Sequence, residues 1–167
     1  MLRSNYMGSH AKSFEELRIF QQGRQMAAAI WKITRNGSFS TDRVLSGQIR
    51  RAGLSVISNI AEGFERGSRA EFGRFLKIAK GSWGEARAQN ACCGEPELHH
   101  ITKQQYEQFS FTTRQISAGL SNLARYLREH KESHLNISLV CKQPASDALT
   151  FPLFCYSIFY FPDQVVM

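Results

Sequence analysis

Three helix-capping signals divide most of this 167-residue chain into segments with the period of an α-helix. In each signal a Ser or Thr precedes a Glu or Gln by three positions: Ser13–Glu16, Ser68–Glu71 and Thr102–Gln105. Such a pair favours a helix start because each side chain satisfies a free backbone N–H of the other residue. Apolar residues recur every three or four positions between these signals, which predicts amphipathic helices. Four such helices with short connections predict an all-α fold, an up-down antiparallel four-helix bundle.

The predicted helices differ in their apolar faces. The first ends at Asn36–Gly37, and the second begins near Ser40–Asp42 with two adjoining apolar stripes, which indicate burial against more than one neighbour. The third contains Gly73, Gly81 and Gly84, each unfavourable by up to ~1 kcal/mol relative to Ala, so a neighbouring backbone is expected to approach closely there. The fourth has a coiled-coil-like seam that consists of Tyr106, Phe109, Thr113, Ile116, Leu120, Leu123 and Leu127.

The pattern divides the chain into three parts. Residues 1–12 form an N-terminal extension, residues 13–134 the bundle, and residues 135–167 an irregular, aromatic-rich tail, either weakly ordered or packed on the bundle. The apolar run Leu149–Phe161 is shorter than the ~20 residues of a membrane helix and contains a proline, so no membrane span is predicted. No secretory signal is visible, and with the adjacent Cys92 and Cys93 a reduced, cytoplasmic protein is expected.

Positive charge is concentrated in the second and third predicted helices. The whole chain carries a net charge of +7, and the segment from Arg43 to Arg87 accounts for +5 of it. A basic strip of this kind can neutralise phosphates without reading a base sequence, although exposed faces of basic proteins often look similar. The candidate nucleic-acid-binding residues are Arg50, Arg51, Arg66, Arg69, Arg74, Lys77 and Arg87.

A polar seam interrupts the apolar residues of the second helix. Its members recur at helical spacing and share a face: Arg51, Ser55, Asn59, Glu62 and Arg66. One interpretation is a solvated face with a Glu62–Arg66 pair worth a few tenths of a kcal/mol. The other is a contact with a second subunit or a ligand, in which Ser55 and Ser58 allow close approach and Asn59 forms hydrogen bonds.

The residue patterns do not predict an enzyme, a metal or a cofactor. Cys92, Cys93, His99 and His100 are close in sequence, but their spacing fits no standard zinc site. Glu62 is the best-placed lone carboxylate, and no second carboxylate lies near it on the same helical face for acid–base catalysis, since Glu65 is expected on a neighbouring face. No phosphate-cradling glycine loop and no nucleophile–base pattern is present in the sequence.

The central stretch "SGQIRRAGLSVISNIAEGFERGSRAEFGRFLKIAKGS" resembles a family of small four-helix bundle proteins encoded in intervening sequences of bacterial 23S rRNA genes. The upstream "SFEELRIFQQGRQMAAAIWKIT" is similar to that family's first helix, and the resemblance covers about residues 13–130. The resemblance implies a five-subunit ring, a homopentamer. The family also includes accessory variability proteins of diversity-generating retroelements. Similarity to these proteins implies basic surfaces that bind nucleic acid and a reverse transcriptase-like partner. The tail Ile137–Met167 and the long connection "CCGEPELHHIT" depart from the family pattern.

Charge and resemblance together lead to one expected function and two alternatives. We expect a non-catalytic, oligomeric accessory protein that binds RNA or DNA. The first alternative is a protein-interaction scaffold in which the segment Ser58–Gly63 serves only subunit contacts. The second is a structural relic whose C-terminal region is damaged, which would show poor solubility.

Overall fold

The computed structural model describes residues 11–95, 98 and 100–129, and in this part of the chain it contains four α-helices and no strand. The helices are α1 (Arg18–Ile33), α2 (Arg43–Glu65), α3 (Arg69–Cys93) and α4 (Lys103–Glu129). Each helix packs on the next, and α1 also contacts α4, so the bundle closes. The predicted all-α four-helix bundle is therefore confirmed. The predictions for residues 1–10 and for the tail 135–167 lie outside the described residues.

The core lies along the bundle axis and uses the predicted apolar faces. Trp83 on α3 is fully buried, as are Val56 and Ile60 on α2. The predicted seam of α4 is buried from Phe109 to Leu127, and only its first member, Tyr106, is half-buried. Each large apolar side chain removed from water contributes ~1.5–3 kcal/mol to folding, so this seam holds α4 in place.

Side chains cap the starts of three helices. The Thr102–Gln105 box is complete: the Gln105 N–H donates to Thr102 Oγ1 over 3.2 Å, and the Thr102 N–H donates to Gln105 Oε1 over 2.8 Å. The Ser68 hydroxyl accepts from the Glu71 N–H over 3.5 Å at the start of α3. At α2 the Asp42 carboxylate accepts from the backbone N–H of its third following residue over 2.9 Å. These caps fix the starts of α2, α3 and α4 close to their predicted positions.

The first predicted capping box is wrong. Ser13 precedes a short 3-10 turn and makes no side-chain cap, while the Glu16 carboxylate accepts from the Lys12 N–H over 2.9 Å. The next residue, Leu17, is extended and completely buried, so α1 begins only at Arg18. The helical conformation is interrupted at Leu17 because the extended residue can reach the core. Its burial outweighs the local capping signal.

The close backbone approach expected at the glycines of α3 is also wrong within the described residues. A Cβ at Gly73 or Gly81 would meet no other atom within 4 Å, and one at Gly84 would meet only a guanidinium nitrogen at 3.9 Å. These glycines point away from the core. The close approach occurs instead at Gly63 on α2, where an added Cβ would lie 2.5 Å from the Cβ of Phe75 on α3.

We expect Gly63→Ala to lower the free energy of unfolding by about 1–3 kcal/mol, because the new methyl group would push α3 away from α2. Gly81→Ala is the matched control, since it adds the same methyl group to an open helix position and should raise stability by up to ~1 kcal/mol. Urea unfolding followed by circular dichroism measures both changes. A Gly63→Ala variant as stable as the wild type would contradict the proposed contact.

Candidate nucleic-acid interface

An open groove of about 700 Å³ runs between the first half of α3 and the last turns of α4. The charged residues among its described lining are all cationic: Arg69, Arg74, Lys77, Lys80, Arg125 and Arg128. Leu76, Leu120 and Leu127 lie beneath them and belong to the buried core. We call this feature the basic groove. Positive charges around a concave surface reinforce one another's electrostatic field and attract anions.

Antiparallel packing explains why the basic groove exists. The start of α3 lies beside the end of α4, so cations from two distant parts of the sequence face one space. Small side chains at Ala70, Gly73 and Ala124 leave that space open between them. The groove therefore forms where two helices pack in the core but lack bulk at the surface.

Three of the groove cations, Arg74, Arg125 and Arg128, keep their charge available to a ligand. The Arg74 side chain is 67% exposed and lies 3.6 Å from Glu71, and the Arg128 side chain is 68% exposed and lies 3.8 Å from Glu129. Exposed ion pairs of this length contribute little. Arg125 donates to the side-chain oxygen of Asn122 over 3.1 Å, a neutral contact that orients the guanidinium without cancelling its charge.

The basic groove contains three of the predicted binding residues: Arg69, Arg74 and Lys77. The sequence interpretation missed three others: Lys80, Arg125 and Arg128. These three residues could have been predicted from the antiparallel order of the helices, which places the basic end of α4 beside the basic start of α3.

Two predicted binding residues are held in contacts within the bundle instead. Arg50 donates to the Thr34 hydroxyl over 2.6 Å and to its carbonyl oxygen over 2.7 Å, and its guanidinium lies 4.6 Å from the centre of the Trp31 ring. It therefore caps the C-terminal end of α1. Arg87 donates to the Ser117 hydroxyl over 2.9 Å and joins α3 to α4. Neither residue lines the basic groove.

The remaining predicted cations lie outside the groove. Arg51 is exposed on α2. Arg66 forms the predicted ion pair with Glu62, lies 3.4 Å from Glu71, and covers the Phe75 ring at 4.7 Å. The hydrogen bond with Glu62 raises the pKa of Arg66. Because two carboxylates neutralise it locally, Arg66 supports the α2–α3 turn more than it offers a free charge.

The polar seam of α2 contacts α3 over part of its length. The Ser55 and Ser82 hydroxyls lie 2.9 Å apart, and the Asn59 side-chain amide donates to the Ser55 carbonyl over 2.7 Å. Ser55 and Asn59 are half-buried, whereas Ser58 and Glu62 are exposed. The seam therefore contains an internal hydrogen-bonded half and an outward half.

The fold assembles a Ser–His–Asp group that spacing along the sequence did not reveal. His100 Nδ1 lies 3.0 Å from the Ser38 hydroxyl, and His100 Nε2 lies 3.2 Å from the Asp42 carboxylate. The imidazole stacks parallel on Phe39 with 4.9 Å between ring centres. We call these four residues the His100 clasp. It joins the connection before α4 to the connection between α1 and α2.

The cysteine–histidine cluster does not converge in the described residues. Cys92 is exposed and Cys93 is buried, and burial raises the pKa of the Cys93 thiol to about 12. His100 is engaged in the clasp, and His99 lies outside the described residues. Within residues 11–95, 98 and 100–129, no three His, Cys, Asp or Glu side chains are grouped so that they could hold a metal ion.

The architecture and the groove define a small, basic four-helix bundle. Residues 15–122 match the model of the 23S rRNA-intervening sequence protein family, and the chain belongs to that family. A solved structure from Bacteroides thetaiotaomicron VPI-5482, described as a protein with unknown function from the S23 ribosomal protein family, is similar with 26% sequence identity and a TM-score of 0.57. The match covers 64% of this chain and 98% of that one. No curated protein matches the chain.

The helices in the described part of the chain are too short or too polar to cross a lipid bilayer.

We expect Asp42→Asn to change how stability depends on pH. The pKa of Asp42 is lowered, first by the hydrogen bond from the Leu45 N–H and further by His100. A lowered pKa stabilises the fold above the ordinary Asp value of about 4, and this contribution is lost as the pH falls through the lowered pKa. Asparagine keeps the cap but not the charge. The difference in free energy of unfolding between wild type and Asp42→Asn should therefore shrink below about pH 4.

Urea unfolding at a series of acidic pH values measures that difference. Glu65→Gln is the control, because it removes an exposed carboxylate at the end of α2, away from the His100 clasp. A difference for Asp42→Asn that stays constant through the acid range would show that the carboxylate contributes nothing through its charge.

Proposed function

We propose that this protein is a non-catalytic accessory protein that binds RNA or DNA through the phosphate backbone, with the basic groove as its binding surface. The main support for this proposal is the charge of the groove. Within the part of the chain that the structure describes, six charged residues line the groove, and all six are cations. Phosphates are the ligand chemistry that fits such a surface, because each Lys or Arg that neutralises one releases condensed counterions. The family description refers to an intervening sequence of 23S rRNA, and the solved neighbour is described as a protein with unknown function, so the proposal rests on the groove itself.

The His100 clasp supports a non-catalytic role. Asp42 uses one carboxylate oxygen to cap α2 and the other to contact His100, whose ring is held against Phe39. The His100 side chain is only 8% exposed, which leaves little of the ring open to a substrate. In the proposed function the ring keeps the two interhelical connections together.

Neutralising two groove cations should weaken binding and reduce its dependence on salt. In Lys77→Ala/Lys80→Ala, each lost phosphate contact is expected to lower the slope of log Kd against log salt by about 1, so the double variant loses about 2. Both positions are exposed in the interior of α3, where alanine favours the helix. Fluorescence anisotropy with a labelled RNA hairpin over a series of KCl concentrations measures the slope.

Arg24→Ala/Arg43→Ala is the matched control, because it removes the same charge from exposed positions on α1 and α2 outside the groove. We expect its slope to stay close to that of the wild type. Equal losses in both double variants would mean that net charge, and not the groove, attracts the nucleic acid. Salt-independent binding would contradict the phosphate mechanism.

A second candidate function, a scaffold built from subunit contacts, has an observation of its own. Leu54 on α2 and Ile78 on α3 are large apolar side chains that are 43% and 42% exposed. Ile78 lies one helical turn from Ser82, which contacts Ser55 of the polar seam. Apolar residues beside an exposed, small Ser58 form a surface suited to a second copy of the chain. We propose that this surface forms the homo-oligomer, the pentamer expected from the family resemblance.

Ser58→Arg should then reduce the molar mass in solution, because a long cation would stand in the contact. Light scattering after size-exclusion chromatography measures the mass directly. Gln48→Arg is the control, since it places the same side chain at another exposed position of α2. A wild-type protein with the mass of one chain, or a Ser58→Arg variant that keeps the full assembly, would overturn the subunit-contact proposal.

A further inference from the structure

The basic groove offers phosphate contacts but no surface on which a base could stack. None of its described lining residues is Phe, Tyr, Trp or His. Proteins that bind single strands usually combine a basic groove with aromatic side chains on which the unpaired bases stack. The groove therefore has one of the two parts that a single-strand site uses.

The nearest ring of α3 cannot supply the missing part. Phe75 lies in the same stretch of helix as the groove cations, but it is only 7% exposed. The guanidinium of Arg66 covers it at 4.7 Å, and that of Arg74 lies 5.8 Å from its centre. A base would have to displace these cations before it could stack, and the phosphate contact of Arg74 would be lost with them.

Each of the two neutral polar side chains of the groove has one atom engaged in a contact within α4. The Ser121 hydroxyl donates to the Ser117 carbonyl over 3.0 Å, and the Asn122 side-chain oxygen accepts from Arg125 over 3.1 Å. Reading a base edge requires donors and acceptors that are held in a fixed pattern. The groove side chains that could supply such a pattern are Arg and Lys on long, mostly exposed stems, which suit phosphates without fixing a pattern for the bases.

The length of the basic groove suits a ligand with closely and regularly placed phosphates. Arg69 and Lys80 lie ~16 Å apart along α3, at a rise of about 1.5 Å per residue, and Arg125 and Arg128 extend the same field from α4. A double helix carries one charge per ~1.7 Å of its axis, and its backbone is already ordered. A flexible single strand must lose conformational freedom on binding, and stacking would not offset that loss here.

We infer that the basic groove receives the phosphate backbone of a double-helical nucleic acid, in preference to an unpaired strand and without regard to base sequence. This inference rests on the proposed function, since it names the form of nucleic acid that the same groove binds. RNA and DNA duplexes share the recognised chemistry, the phosphodiester backbone, and the experiment includes both.

The test compares four labelled probes of equal length and therefore equal phosphate number: two RNA hairpins with different stem sequences, a DNA hairpin, and single-stranded oligo(U). Anisotropy titrations at one salt concentration use the full-length wild type and the Lys77→Ala/Lys80→Ala variant. We expect the two RNA hairpins to bind equally, and at least about tenfold more tightly than oligo(U). The variant should lose affinity for the hairpins, while Arg24→Ala/Arg43→Ala should not.

The outcomes separate the inference from the proposed function. If oligo(U) binds as tightly as the hairpins and the groove variant weakens both, the groove binds nucleic acid but the preference for a double helix is wrong. A strong difference between the two RNA stem sequences would also overturn the inference. If the groove variant weakens no probe, the proposed function itself fails. If both the RNA and the DNA hairpins bind more tightly than oligo(U), the ligand is a double helix in general. If only the RNA hairpins do, the ligand is the A-form double helix.

Discussion

The contact between Gly63 and Phe75 determines how the other parts of the bundle are placed. An added Cβ at Gly63 would lie 2.5 Å from the Phe75 Cβ and 3.1 Å from the Phe72 ring, so only glycine lets α2 and α3 approach this closely. The connection that follows is short, and Gly67 adopts a positive φ of 67° to make it. Together these features fix where α3 begins, which residues it buries against α2, and which it leaves at the surface.

The close crossing of α2 and α3 at Gly63 also determines which residues of α3 lie at the surface. With Phe72, Phe75 and Leu76 directed inward, the intervening positions 73, 74 and 77 lie toward the outside, where α4 passes antiparallel. The same crossing brings Ser82 to Ser55, which turns part of a polar seam into an internal contact. The groove and the inward half of the seam are thus two consequences of one close helix–helix contact.

The sequence predicts the fold well because amphipathic periodicity and capping are local. The seam of α4 and the starts of α2, α3 and α4 were confirmed, whereas the Ser13 box failed because burial of Leu17, a tertiary effect, outweighed a local signal. The site is harder to predict because a cation's partner can come from another helix. Arg50 bonds to Thr34, 16 positions away, and Arg87 to Ser117, 30 positions away, and neither distance is a helical spacing. The alternation of charges alone cannot distinguish such structural arginines from free ones.

The basic residues of this chain therefore divide into two groups with different physical roles. Arg50 and Arg87 are half-buried and hydrogen-bonded to hydroxyl or carbonyl oxygens, so their loss would leave buried acceptors without a donor and would cost stability. Lys77, Lys80 and Arg125 are exposed on the groove, and none of the hydrogen bonds named for them satisfies a buried polar group. Repulsion among like charges makes such a cluster unfavourable to folding by itself. This repulsion is the physical basis of the proposal that the cluster serves an anionic ligand.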